Sequence, residues 1–466
     1  MIALDLGEIA RLTGGALAGG ATSTAEVVGP VVIDSRQASP GALFVCLRGE
    51  HADGHEFAAA AVAAGAVSAL AEHEVDAPVV IVPDATHALG QLAAGVLARA
   101  DKCTVVGVTG SSGKTSTKDL LAQILERQGP VVAPKNSFNN EIGLPLTVLE
   151  VTAQTRNLVC EYSARGPGHI AYLATIAPPR VGVVLNVGAA HLGEFGSRDA
   201  VAEAKGELVA ALPENGTAVL NADDARVAAM ARRTKAPVMW FGTGQDADVC
   251  IADLQLDELA RPRFRLVTSD GDVVVLLPLS GAHHAQNAAA AATAALACGM
   301  NLPEIGDALS RASTRSAHRM GVFTRADDVL VIDDAYNANP ESMRAALEAF
   351  RRMASARRRW AVLGEMRELG PESDTLHREV GLLAARTGVD ELLVVSEAAE
   401  RIAAGAAEEP GWSGRTRVVA DPDEAIAVLR AELRAGDGVL VKASNGVRLW
   451  RVAEALVSDV PAGAAS

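Results

Sequence analysis

Apolar runs and amphipathic stretches alternate along most of this chain. Near the C-terminal end the alternation is regular. VLVIDD precedes a helical pattern at 341–353, WAVLGE one at 373–387, ELLVVS one at 397–407, a short run near 417–419 one at 422–434, and GVLVKAS one at 446–457. Uninterrupted apolar runs suit strands buried on both faces, and strand-then-helix repetition builds a doubly wound, Rossmann-like sheet. The middle of the chain predicts strands at 104–109, 158–161 and 181–187 and helices at about 199–212 and 285–299. Its strands tend to precede helices, which argues for a parallel sheet with helices on its faces. Towards the N-terminus, VVGPVVIDSR and GALFVCLRGE are strand-like, 56–66 and 86–99 are helical, and MIALDLGEIARLTGG reads as an amphipathic helix. No short-period repeat is evident.

At 466 residues the chain is too long for one core. DKC (101–103) and RASTRSAHRM (311–320) are the expected joints, so the predicted α/β domains are 1–102, 103–314 and 315–466, with the tail PAGAAS disordered. Half the residues are hydrophobic (49%) but only 3% are aromatic, which predicts aliphatic cores and Ala-rich helices. A net charge of −15 argues against broad nucleic-acid binding, because a phosphate backbone would be repelled. It leaves room for one small anion held by local donors. The cysteines at 46, 103, 160, 250 and 298 have no metal-ligand or redox spacing and read as core residues in a reducing compartment. Acidic Asp5 and Glu8 stand where a signal peptide would be basic, and the apolar stretch 57–71 is too short and too Ala-rich to span a bilayer. A cytoplasmic protein without membrane insertion is expected.

The chemistry concentrates first at VVGVTGSSGKTSTKDLLAQIL (105–125), where a strand, a small-residue loop and a helix follow one another. That order makes a phosphate cradle, a P-loop, from Thr109, Gly110, Ser111, Ser112, Gly113, Lys114, Thr115 and Ser116. The glycines let backbone amides approach an anion, Lys114 supplies a point charge, and the Thr115 hydroxyl can ligate Mg²⁺. The bland reading, a Gly-rich turn with a surface lysine, fits the ordered strand, loop and helix poorly. Glu161 ends the strand NLVCE and His191 follows VGVVLN, both at strand ends where parallel sheets build sites. Taken singly, Glu161 reads equally as a solvated strand end, and a lone histidine is more often structural than a ligand; their joint occurrence favours a site. Asn139 and Asn140 pair before a Gly-Leu-Pro turn, and adjacent amides suit a polar, sugar- or peptide-like substrate. Lys205, in EAKGELVAAL, reads on composition as a solvated helix lysine.

Val108 stands where the usual P-loop begins with glycine, and the tighter form TGSSGKTS resembles the loop of the Mur ligase family. SFNNEIGLPLT, GAHHAQN, HRM and IDDAYNANPESM extend that resemblance, and AVLGEMRELG matches a further loop, so that it covers about residues 30 to 457. It implies a three-domain fold, with a central ATP-binding P-loop domain between an N-terminal UDP-binding domain and a C-terminal Rossmann-like domain. It implies an ATP-dependent, ADP-forming amide ligase working through an acyl phosphate in peptidoglycan precursor synthesis. SFNNEIGLPLT and DDAYNANPESM resemble most the member that adds D-Ala-D-Ala to a UDP-linked muramoyl tripeptide. The resemblance places Mg²⁺ on Thr115, Glu161 and His191, with a second ion on Lys205 as its carbamate. It places Asn287, Arg319 and Asp334 on the nucleotide, and Asn139, Asn140, Tyr336, Asn337 and Asn339 along the substrate cleft. Ser35 and Arg36 would meet the UDP end. Lys114, His191 and Lys205 are the implied catalytic residues, and a monomer is expected. The chain departs from the family's pattern at Tyr162-Ser163 after Glu161, at Gly321, and at Asn445, where an arginine is common; Arg448 is a nearby substitute. A paralogue joining another carboxylate and amine in secondary metabolism, and a P-loop switch, are the alternatives.

Overall fold

A computed structural model of the chain describes residues 1–49, 52–134, 137–188 and 192–458. His191 and the PAGAAS tail lie outside the described residues. Among those described, the strands form one two-stranded ladder and three larger sheets.

The first helix, Leu6–Thr13, starts where Asp5 accepts a hydrogen bond from the Glu8 amide and ends at Gly14 with φ 63°. It buries Leu6, Ile9, Ala10 and Thr13, one face at helical spacing. The N-terminal sheet runs Ala16–Ala18, Val79–Ile81, Ser68–Ala71, Leu43–Val45, Val31–Val32, parallel except for its first pair. Helix Ala85–Leu97 covers it and packs on Gly143–Val148 and His169–Ile176, so one apolar core continues from the N-terminal sheet into the central region.

The central sheet orders Val131–Val132, Asn157–Glu161, Thr104–Thr109, Val181–Val184, Thr217–Asn221, Val238–Gly242 and Val249–Leu256, all parallel. The predicted strand at 181–187 stops at Val184, because Leu185–Gly188 turns away to brace the P-loop. The sheet is not wholly parallel as expected. Pro262–Thr268 and Gly271–Leu276 add an antiparallel hairpin at its far edge. The two-residue turn Ser269-Asp270, followed by Gly271 at φ 135°, lets the chain fold back there. Helices Lys114–Leu125 and His284–Ala297 pack together on one face of the sheet, and the alanines at 288–292 are buried.

The C-terminal sheet orders Gly321–Thr324, Leu330–Asp333, Gly438–Lys442, Arg359–Gly364, Glu391–Val395 and Arg415–Val419. Only the first pair is antiparallel. Apolar layers lie on both faces, as the continuous runs predict. Much of its contact with the central region is polar. Arg352 donates to the Leu256 and Asp257 carbonyls, and the Gly193 amide donates to the Glu368 carbonyl at 3.0 Å. Among the described residues no helix is long and apolar enough to cross a membrane.

Candidate functional site

The parallel register sets the C-terminal ends of Thr104–Thr109, Asn157–Glu161 and Val181–Val184 side by side. The loop after the first strand, the carboxylate ending the second and the turn after the third therefore converge. They open into a cleft of about 530 Å³ whose opposite wall comes from the C-terminal domain.

The P-loop is held from below by a residue the sequence reading did not single out. Asn186 accepts from the Ser112 amide at 2.9 Å and returns its own amide to the Ser112 carbonyl at 3.2 Å. Ser111 Oγ accepts from the Gly188 amide at 2.8 Å. The signal was the polar asparagine at the end of an apolar run, VGVVLN. Gly113 sits at φ 82°, and a β-carbon there would lie 2.5 Å from Asn287 Oδ1, so only glycine lets the loop close onto helix His284–Ala297. Lys114 Nζ donates to the Gly110 carbonyl at 2.7 Å. Its amine is held below the usual lysine range by burial first, against the opposing pull of Glu161.

Glu161 is fully buried, and neither of its carboxylate oxygens has a hydrogen-bond partner among the described residues. Burial pushes its pKa up, opposed by Lys118, Lys114 and Arg319. A buried carboxylate is stable only when something compensates its charge. Thr115 Oγ1 lies 2.9 Å from Ser137 Oγ beside it. A carboxylate and a hydroxyl next to a phosphate cradle suit Mg²⁺, which takes one or two protein oxygens and completes its shell with phosphate and water. The described residues hold no cluster of three or more His, Cys, Asp or Glu side chains able to bind a metal by themselves. Lys205 is not the solvated lysine that composition favours. It is 3% exposed, and burial first, then Lys114, pushes its pKa well below the ordinary lysine value. Glu207, its neighbour, instead accepts from the amides of Gly168 and Ala171 at the start of helix His169–Ile176.

Arg319 reaches across from the C-terminal side. Its guanidinium donates to Thr115 Oγ1 at 3.3 Å and lies 4.2 Å over the Tyr336 ring, while its buried Nε has no partner among the described residues. Both neighbours, His318 and Met320, have positive φ, 58° and 51°. That costly backbone is pinned by consecutive aspartates: Asp333 bonds His318 Nδ1 at 2.7 Å and Asp334 accepts from the Met320 amide at 3.1 Å. Asp334 also pairs with buried Lys442 at 2.6 Å, and Lys442 donates to the Asn337 carbonyl at 2.8 Å.

Of the remaining expected residues, Asn139, Asn140, Asn287, Tyr336, Asn337 and Asn339 all line the cleft. Two have structural work as well. Asn140 Oδ1 accepts from the Gly143 amide at 2.8 Å, and Asn339 caps helix Pro340–Met353 through the Ser342 amide at 2.9 Å while its Nδ2 lies 3.5 Å from the Ser111 carbonyl. Ser35 and Arg36 lie outside this cleft, in a 3-10 turn where Arg36 grips Asp34 at 2.6 Å and holds that carboxyl down at about 2. Thr109 Oγ1 donates to the Tyr162 carbonyl at 2.7 Å. Tyr162 itself is core, its hydroxyl on the Ala177 carbonyl, whereas Ser163, the second residue of this departure, lines the cleft.

Family models match in three consecutive blocks: the Mur ligase family, catalytic domain, at residues 28–96, the Mur ligase middle domain at 108–295, and the Mur ligase, glutamate ligase domain, at 318–445. UDP-N-acetylmuramoyl-tripeptide–D-alanyl-D-alanine ligase of Mycobacterium tuberculosis is 48% identical, covering 99% of both chains. The enzyme of that name from Escherichia coli is 35% identical over 98% of this chain and 99% of its own. A crystal structure of MurF from Acinetobacter baumannii matches with a TM-score of 0.87 at 31% identity, over 98% of this chain and 99% of that one. MurF from Thermotoga maritima, in complex with ADP, matches with a TM-score of 0.79 at 32% identity, over 93% and 98%.

Proposed function

The chain belongs to the Mur ligase family, and from that premise we propose that it joins D-alanyl-D-alanine to the tripeptide of a UDP-N-acetylmuramoyl precursor, converting ATP to ADP and phosphate. The product is a peptidoglycan precursor. The observation that carries this reading in the molecule is one cleft that gathers Lys114, the buried Glu161 carboxylate and Arg319 from the opposite wall.

The tripeptide's terminal carboxylate takes the γ-phosphoryl group of ATP. The dipeptide's amine then attacks the acyl carbon, the amide C–N bond forms, the C–O bond to phosphate breaks, and the amine's proton passes to solvent. No side-chain nucleophile is required. The protein must hold anions together, offset their charge and exclude water from the acyl phosphate. In this reading Thr109 to Ser116 cradle the phosphates, with Lys114 and Arg319 on the γ-phosphate, Asn287 on the adenine and Asp334 near the ribose. Asn139, Asn140, Tyr336, Asn337 and Asn339 line the path of the peptide, and Ser35 and Arg36 receive the UDP end. Thr115, Glu161 and His191 would hold one Mg²⁺, and Lys205 as its carbamate a second; when bound, the ions would shield the phosphate charge. We read the enzyme as a cytoplasmic monomer.

The test is a ligation assay read by mass spectrometry, with the UDP-tripeptide as donor and a panel of dipeptides, amino acids and simple amines as acceptors. A pentapeptide product with D-Ala-D-Ala, formed with one ADP, is expected. Product with another amine and none with D-Ala-D-Ala would overturn the assignment, and ATP turnover that needs neither carboxylate nor amine would mark a switch.

A further inference from the structure

The acceptor dipeptide carries a carboxylate as well as the reacting amine, and the two ends lie roughly 6 to 7 Å apart in an extended dipeptide. The amine must reach the acyl phosphate, so the carboxylate falls beyond the phosphate-binding groups and needs a cation of its own. Asn445 is neutral, and Arg448, which closes the turn Asn445–Val447 at φ 57°, does not line the cleft. Among the described residues, the cations on the C-terminal wall are Arg319, Lys442 and Arg367. Arg319 is committed to the P-loop and Tyr336, and Lys442 is 1% exposed on Asp334.

Arg367 differs from both. Its side chain is 53% exposed, and its Nε donates to Glu365 at 3.0 Å, which orients the guanidinium. Its amide donates to Ser444 Oγ at 2.9 Å, tying this loop to the segment that carries Asn445. A β-carbon on Gly446 would lie 2.0 Å from Arg367 Nη1, so the glycine leaves the space that the guanidinium fills beside Asn445. We infer that Arg367 binds the carboxylate of the incoming dipeptide, the charge that position 445 lacks being supplied from the neighbouring loop. This rests on the ligation proposed above. A guanidinium is suited to the task because it meets a carboxylate through two parallel N–H groups.

The experiment compares D-Ala-D-Ala with its C-terminal amide as acceptors, in the wild type and in the Arg367→Ala, Arg367→Lys and Gly446→Ala variants. The wild type should favour the carboxylate form. Arg367→Ala should raise KM for D-Ala-D-Ala on the order of tenfold to a hundredfold, leave KM for the amide and for ATP unchanged, and so erase the preference. Arg367→Lys should recover part of it. Gly446→Ala, which displaces the guanidinium without removing it, should weaken D-Ala-D-Ala in the same selective way. An equal rise for both acceptors, or no rise for D-Ala-D-Ala, would overturn the role of Arg367 while the ligase reading stands. Absence of product from D-Ala-D-Ala in the wild type would overturn that reading and this one with it.

Discussion

Lys205 shows how burial changes what one residue can do. An ordinary lysine, with a pKa of about 10.4, is almost wholly protonated at neutral pH and cannot attack carbon dioxide. Here the surrounding protein disfavours the ammonium, with Lys114 adding like-charge repulsion, so the neutral amine is reached at a lower pH. Addition of that neutral amine to carbon dioxide would form an N–C bond, release a proton and leave a carbamate anion able to bind a metal. Lys205→Ala is expected to fold and bind nucleotide but to lose most ligase activity, on the order of a hundredfold. Acetate should restore part of it by replacing the missing carboxylate. Labelled bicarbonate should give a carbamate carbon signal in the wild type that the variant lacks. Full activity of Lys205→Ala without additives would return the residue to a structural role. Composition suggested a solvated lysine, because a single position on an Ala-rich helix does not reveal which face is covered.

Strand Thr104–Thr109 carries the P-loop, and its packing explains why Tyr162 can follow Glu161. A β-carbon on Gly107 would lie 2.8 Å from Tyr162 Cε2 and 3.0 Å from Leu208 Cδ1, so the glycine makes the room the ring occupies. Gly107→Ala should destabilise the protein by about 1–3 kcal/mol through overpacking. Combined with Tyr162→Met, whose side chain is slimmer and flexible, much of that loss should vanish. Urea unfolding of both single variants and the double variant measures the coupling, and strictly additive losses would show that the two residues do not share the space. The same scale separates what the sequence made legible from what it did not. Strands Thr104–Thr109 and Glu391–Val395 were evident because strands buried on both faces are apolar throughout. Strands Val249–Leu256, Pro262–Thr268 and Gly271–Leu276 were missed because they lie at an edge, with charged residues interleaved and polar faces in solvent. In the cleft, P-loop residues announce themselves by local spacing. Asn186, Ser137 and Arg367 do not, since each acquires its place only when separate strands and domains meet.

For the molecule as a whole, the C-terminal domain must be seated on the centre for Arg319 to reach Thr115, and the seat includes a contact between two glycines. The Gly193 amide donates to the Glu368 carbonyl, and a β-carbon on Gly193 would lie 2.6 Å from the Gly370 amide nitrogen. The N-terminal and central regions, by contrast, share a continuous apolar core and should move together. Closure of the C-terminal domain is therefore the motion expected to set turnover, as it excludes water from the acyl phosphate and completes the phosphate site. Gly193 is exposed apart from this contact and has no positive φ, so an alanine there is tolerated by its own helix but not by the backbone facing it. Gly193→Ala should leave the melting temperature within a degree or so, since exposed substitutions away from core and caps change stability by only about 0.5 kcal/mol. It should lower kcat by on the order of tenfold or more, the usual reach of a mispositioned catalytic group. Small-angle scattering with ATP analogue and donor should show compaction of the wild type and little or none in the variant. A variant that compacts and turns over like the wild type would mean that the glycine contact is incidental and that Arg319 is delivered by other contacts. Retained nucleotide binding alongside lost compaction would instead locate the defect in the seating of the domain, because the P-loop and its Asn186 brace belong wholly to the central region.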